Sequence, residues 1–140
     1  MCSICDGTTY DEVLTDTRGR IDRSGFTLAG IEPGPDQPPW LYTIGLVERH
    51  NHPEVSVLGV PVPRAQQLLD IVARRVLAGE RLAAGVDLMV GSRRFHVDEL
   101  DERVVAGDML AQWHDYYGWR GLDELRPSVL ELVRCGRSRR

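Results

Sequence analysis

The sequence contains no lysine: all 17 basic residues are arginine, set against 21 acidic ones, for a formal net charge of −4. Uniform arginine of this kind is the mark of a GC-rich coding sequence and reads as composition rather than function. Four of the positive charges, Arg134, Arg137, Arg139 and Arg140, fall in the last seven residues, so residues 1–133 carry a net charge of −8. An acidic body without a basic stripe is a poor nucleic-acid binder. No apolar run approaches the ~18 residues that a membrane span needs. The opening Met1-Cys2-Ser3-Ile4-Cys5-Asp6 has neither the basic start nor the apolar stretch of a signal peptide. Cytoplasmic residence is therefore expected, with no nucleic-acid or membrane partner. Cysteine is scarce and odd in number, at three, which argues against a closed disulfide framework and fits a reducing compartment. Also missing are a glycine-rich phosphate loop, a dinucleotide fingerprint and a second Cys-x-x-Cys.

What is there fits one domain. A chain of 140 residues has a usual single-domain length and can bury a real core. We expect a single α+β domain over residues 1–133, followed by an Arg-rich tail at 134–140. Thr9-Tyr10-Asp11-Glu12 reads as a capping box, with apolar residues at helical spacing behind it and Gly25 as the stop. Phe26 to Ile31 is a short strand. The segment 32–39 carries four prolines and is a loop. Trp40 to Val47 alternates with both faces apolar, as in a central strand covered on each side. Val55 to Val60 is its expected antiparallel neighbour, across a polar 49–54 connection.

Pro63 opens a helix with a stripe at Ala65, Leu68, Leu69, Val72 and Val76, closed by Gly79. Residues 86–97 read as a hairpin turning on Gly91-Ser92. That register sets Leu88 against Phe95, Val86 against Val97 on the core side, and Asp87 against His96. Asp108 is expected to cap a helix through Trp113 and Tyr116 or Tyr117 that stops at Gly118, and Pro127 to Arg134 reads as a last strand. Together these give a mostly antiparallel sheet of about five to six strands with two to three helices packed on one face or end.

Several segments resemble a known family. The Cys-x-x-Cys-Asp start, Pro39-Trp40-Leu41-Tyr42-Thr43-Ile44-Gly45-Leu46, the following His52-Pro53-Glu54 and the Pro-x-x-x-Ala-x-x-Leu-Leu helix opening are similar to the bacterial family called domain of unknown function 4262. The resemblance covers roughly residues 1–100 and carries no catalytic assignment with it. The aromatic-Thr-x-Gly-Leu strand before a Pro-Glu turn also resembles suppressor-of-fused-like domains, which would imply an interaction module.

The residues that could carry chemistry are few. Cys2 and Cys5 have zinc-knuckle spacing but need two further ligands; His50 and His52 are the candidates. The plain alternative is an exposed thiol pair. A free Cys2 amine beside its thiol would permit an N-terminal nucleophile. His50, His52 and Glu54 share one side of the chain if it is extended there, and could bind metal or run acid–base chemistry. A polar turn with local hydrogen bonds is the competing account. Asp87 and His96 could form an oriented imidazole or a surface ion pair. The tract from Trp113 to Trp119 holds four of the nine aromatics, which are enriched in cores and ligand pockets alike.

No complete catalytic set emerges. The leading expectation is a non-enzymatic module binding a protein or small ligand through the Pro-rich loop, the 49–54 turn and the aromatic tract, with Trp40, Tyr42, Thr43, His52, Glu54 and Trp113 as contact residues. The alternative is a metal- or thiol-dependent enzyme using Cys2 and Cys5 with His50 or His52, with zinc or iron as the metal. A flavin-binding barrel is a third reading, from the strand-rich middle.

Overall fold

The structure, a computed structural model, describes residues 9–135. Cys2, Cys5 and most of the Arg-rich tail lie outside the described residues. In chain order the elements are α1 Tyr10–Ser24, β1 Thr27–Ile31, β2 Trp40–Ile44, α2 Leu46–His50, β3 Glu54–Leu58, α3 Val62–Leu77, β4 Asp87–Val90, β5 Arg93–Glu99, α4 Glu102–Ala106, α5 Ala111–Trp119 and β6 Val129–Arg134.

The elements with local signals form as their residues dictate. Thr9 Oγ1 accepts from the Glu12 amide at 3.1 Å, and the Glu12 carboxylate takes the Thr9 amide at 2.9 Å, closing the capping box of α1. Gly25, at φ +88°, ends the helix. In α3 the stripe Ala65, Leu68, Leu69, Val72 and Val76 is buried, each larger side chain contributing about 1.5–3 kcal/mol. Its end is a Schellman turn: Gly79 N–H reaches Val76 O and Glu80 N–H reaches Arg75 O, both at 3.0 Å, with Gly79 at φ +112°. Asp70 and Arg74 pair at 3.0 Å on its outer face.

The six strands form one open sheet in the order β1-β2-β3-β6-β5-β4. Every neighbouring pair is antiparallel except β3 with β6, which run parallel. The hairpin register is the expected one, with Leu88 opposite Phe95 and Asp87 opposite His96. Gly91 takes the positive φ that its two-residue turn requires, at +61°. Because the described strands end in free edges at β1 and β4, they do not close into the barrel that a flavin site would need.

The sheet is covered on both faces, not on one. Leu41, Val55, Val57, Phe95, Val97 and Leu132 pack beneath α3. On the opposite face Trp40, Tyr42 and Ile44 meet Leu14 and Ile21 of α1 and Trp113, Tyr116 and Tyr117 of α5. The period-two pattern of residues 40–44 thus sorts its two apolar sets onto two different cores.

Four local expectations need correction. The strand at 40–47 stops at Ile44, because Gly45 adopts φ +124° and the chain turns into α2. Val86 precedes β4 and stays exposed. The helix expected from Asp108 opens as a single 3-10 turn over Asp108–Leu110 before α5, and an unexpected short helix, α4, capped by Asp101, precedes it. Gly118 lies inside α5 instead of ending it; the positive φ comes later, at Gly121. Among the described residues there are five α-helices, two of them only five residues long.

Candidate functional site

The chemistry-bearing residues of β2, β3 and α5 converge on one carboxylate. Glu54, at the start of β3, is fully buried. Its Oε1 accepts the Thr43 hydroxyl at 2.7 Å and the Leu46 amide at 3.1 Å. Its Oε2 accepts the Gly45 and Val47 amides at 3.0 and 3.2 Å and the Trp113 indole N–H at 3.1 Å. Thr43 Oγ1 in turn accepts the Val55 amide at 3.0 Å. Three of the donors are the first amides of α2, groups that no helix can satisfy internally. The positive φ of Gly45 aims them back at β3. Glu54 thus serves as a distant N-cap and stands in for the Ser, Thr, Asp or Asn that α2 lacks. Burial raises its carboxyl above the ordinary range, opposed by the hydrogen bonds from Thr43, Trp113, Val47 and Gly45.

The six contact residues expected from the sequence lie in the interior, not at a surface. Trp40, Tyr42, Thr43, His52, Glu54 and Trp113 are each no more than 2% exposed. Thr43, Glu54 and Trp113 touch directly. Trp40 and Tyr42 lie beside them with ring centroids 5.9 Å apart, and the Trp40 indole donates to Met109 O at 2.8 Å. Burial also pushes the Tyr42 phenol well above its usual range.

His52 is not part of this group. Its Nδ1 bonds Pro53 O at 2.8 Å and its Nε2 accepts the Leu82 amide at 2.9 Å, and Leu82 belongs to the core beneath α3. This fixes a neutral imidazole with both nitrogens used. His50 ends α2, and Asn51 at φ +50° turns the chain before His52, so the two imidazoles do not share an extended face. A single contact surface joining Trp40, His52 and Trp113 is therefore not formed. Among the described residues no group of three or more His, Cys, Asp or Glu is placed to hold a metal ion.

Asp87 and His96 do meet, on the solvent face of the β4–β5 hairpin. Nδ1 lies 2.9 Å from Asp87 Oδ1 and Nε2 lies 3.2 Å from Asp98 Oδ1. A carboxylate at each nitrogen favours the protonated ring, and the hydrogen bond to Asp87 raises its pKa. Burial lowers that of His52. The two histidines should titrate in opposite directions from 6.5 in an NMR pH series. The linkage signs follow. The contribution of His96 is present below pH 6.5 and fades as pH rises through its elevated folded value. That of His52 is present above pH 6.5 and fades as pH falls. Two imidazoles both titrating at about 6.5 would contradict these placements.

Open space lies elsewhere. A cleft of about 430 Å³ runs between α1, β1 and α5. Its apolar part comes from Leu14, Ala29 and Ile44, and Thr17, Gln112 and Asp115 supply polar groups. Gln112 Nε2 donates to Gly30 O at 3.2 Å on the edge strand, and the Trp119 indole donates to Asp11 at 2.8 Å. Tyr10 borders the cleft beside Asp115, and desolvation together with that carboxylate pushes its phenol up to about 12. None of Tyr10, Leu14, Thr17, Gln112 or Asp115 is among the contact residues expected from the sequence. The available signal was the mixed polar–apolar stripe Tyr10, Leu14, Thr17 at helical spacing along α1.

Fold and geometry together define an α+β domain with a six-stranded open sheet, helices on both faces and a neutral-donor cage around one buried carboxylate. The chain belongs to the family described as Domain of unknown function (DUF4262), which matches residues 20–132, a stretch containing Thr43, Gly45, Glu54 and Trp113. No curated protein and no solved structure matches the chain, and the likeness to suppressor-of-fused domains gains no support. No helix among the described residues is long and apolar enough to cross a membrane.

Proposed function

We propose that this domain is a non-enzymatic binding module whose ligand site is the cleft between α1, β1 and α5. The observation that carries the reading is the character of that cleft. Its volume falls in the range of small-molecule sites, about 300–1,000 Å³, and it pairs an apolar floor with a few polar groups that can fix orientation. It also takes in parts of two regions that the sequence marked, the aromatic tract through Tyr116 and the base of the Pro-rich loop through Glu32. The ligand is a small amphipathic organic molecule. Its apolar side rests on Leu14, Ala29 and Ile44, and its polar groups meet Thr17, Gln112 and Asp115. The buried carboxylate works behind the cleft: Glu54 accepts the Trp113 indole N–H at 3.1 Å and so ties α5 to β3.

A fragment screen read by amide NMR shifts tests the site. Hits should move residues of α1, β1 and α5, and Thr17→Trp, which fills the cleft from the α1 side, should abolish those shifts. A screen at about 1 mM ligand, where even −4.1 kcal/mol of binding is visible, that perturbs none of these residues would overturn the proposal.

A further inference from the structure

A second cleft, of about 400 Å³, lies across the sheet from the first, between the start of α3, the tip of the β4–β5 hairpin and the end of β6. Its charge is opposite to that of the body. Arg64, Arg93 and Arg134 all line it, and no acidic residue does, in a domain whose residues 1–133 carry a net −8. Six of the eleven other described arginines, Arg20, Arg49, Arg74, Arg75, Arg103 and Arg120, pair with a carboxylate. Among the described residues Arg64, Arg93 and Arg134 make no such pair.

The same cleft has an apolar wall of Leu68, Ile71 and Phe95, and Ile71 is 46% exposed. Where α3 begins, Gly59, Val60 and Pro61 complete the lining. The first turn of α3 contains no acidic residue and receives no side-chain cap, so no carboxylate from that turn competes for the arginines of the cleft.

We propose that this cleft binds a soluble phosphate monoester that carries an apolar group. The phosphate sits among the three guanidinium groups, whose planar forks match its oxygens, and the apolar group lies on Leu68, Ile71 and Phe95. Inorganic phosphate lacks the second part and binds more weakly. A nucleic-acid strand is disfavoured because the acidic body around the cleft repels an extended polyanion. This site is independent of the α1 cleft, so either proposal can fail alone.

The test uses the full chain and three probes: 1-naphthyl phosphate, inorganic phosphate, and vesicles of phosphatidylcholine with phosphatidylglycerol. Naphthyl phosphate should shift amides of α3, β5 and β6, and added salt should weaken it. Arg64→Gln and Arg93→Gln should each reduce its affinity by at least about tenfold, the loss expected for one charge-assisted hydrogen bond. Arg103→Gln, on the other face of the sheet, should leave it unchanged. These arginines are exposed, so the variants fold, and an unchanged amide spectrum checks that. Three results would overturn the proposal: no shifts at about 1 mM ester, equal affinity in Arg64→Gln, Arg93→Gln and Arg103→Gln, or vesicle binding without ester binding, which would make the cleft a membrane contact.

Discussion

Glu54→Gln should cost about 1–3 kcal/mol of stability or more, since either orientation of the amide leaves at least one buried donor without an acceptor and each costs about 1–3 kcal/mol. The substitution keeps the shape and one acceptor oxygen. It also turns an amide NH₂ toward groups that are themselves donors: the Gly45 and Val47 amides and the Trp113 indole on one side, or the Thr43 hydroxyl and Leu46 amide on the other. Neither flip of the amide satisfies the cage. Against a domain stability of about 5–15 kcal/mol the loss is large, and Glu54→Ala, which removes both acceptors, should leave little folded protein. Urea denaturation reads the effect as a lower midpoint at unchanged slope. A loss below about 1 kcal/mol would mean that the group is held as a neutral acid donating one proton, and the anion-centred description would fall.

The second large effect belongs to Gly45, and a comparison of two glycines isolates its cause. Gly45 and Gly79 have similar positive φ, +124° and +112°. A methyl group at Gly79 meets no atom within 4 Å, whereas one at Gly45 comes 2.9 Å from Gly25 O and 3.1 Å from Phe26 Cα, both backbone atoms that cannot step aside. Gly79→Ala should therefore show the left-handed penalty alone, about 1–2 kcal/mol. Gly45→Ala adds an overpacking cost of about 1–3 kcal/mol and pulls the α2 amides off Glu54. Equal losses in the two variants, measured by thermal or urea unfolding, would show that the close approach of Gly45 to the Gly25–Phe26 backbone has no energetic weight.

What the sequence revealed and what it hid divide along the range of the interactions. The α1 capping box, the α3 stripe and the Gly91-Ser92 hairpin each depend on residues within a few positions of one another, so composition and period were enough to place them. The sandwiching of β2 was legible as well, because two apolar sets alternate from Trp40 to Ile44. Glu54, Thr43 and Trp113 were recognised as special, but their meaning was not. Glu54 is explained by the amides of α2, and α2 exists because Gly45 breaks a strand pattern that Leu46 and Val47 would otherwise continue. A glycine within an apolar run is a known warning of such a break, and it was the one signal available. The His50–His52 pairing failed for a related reason: one left-handed residue, Asn51, undoes the alternation that the shared face assumed. Neither cleft could be placed from the sequence. One depends on the meeting of α1 and α5, tied by a Trp119–Asp11 bond between residues 108 positions apart. The other gathers arginines from three separate elements.

The position of β6 bears on how the chain reaches this state. The last strand is an inner one, seated between β3 and β5. Until it arrives, β1-β2-β3 and β4-β5 are two separate ribbons, each exposing a bare backbone edge suited to wrong pairing between molecules. During synthesis on the ribosome neither ribbon can be sealed to the other before residues 129–134 have emerged. A nascent chain stalled before that point should be the form most in need of chaperone protection, and the closing of the sheet should coincide with release from it.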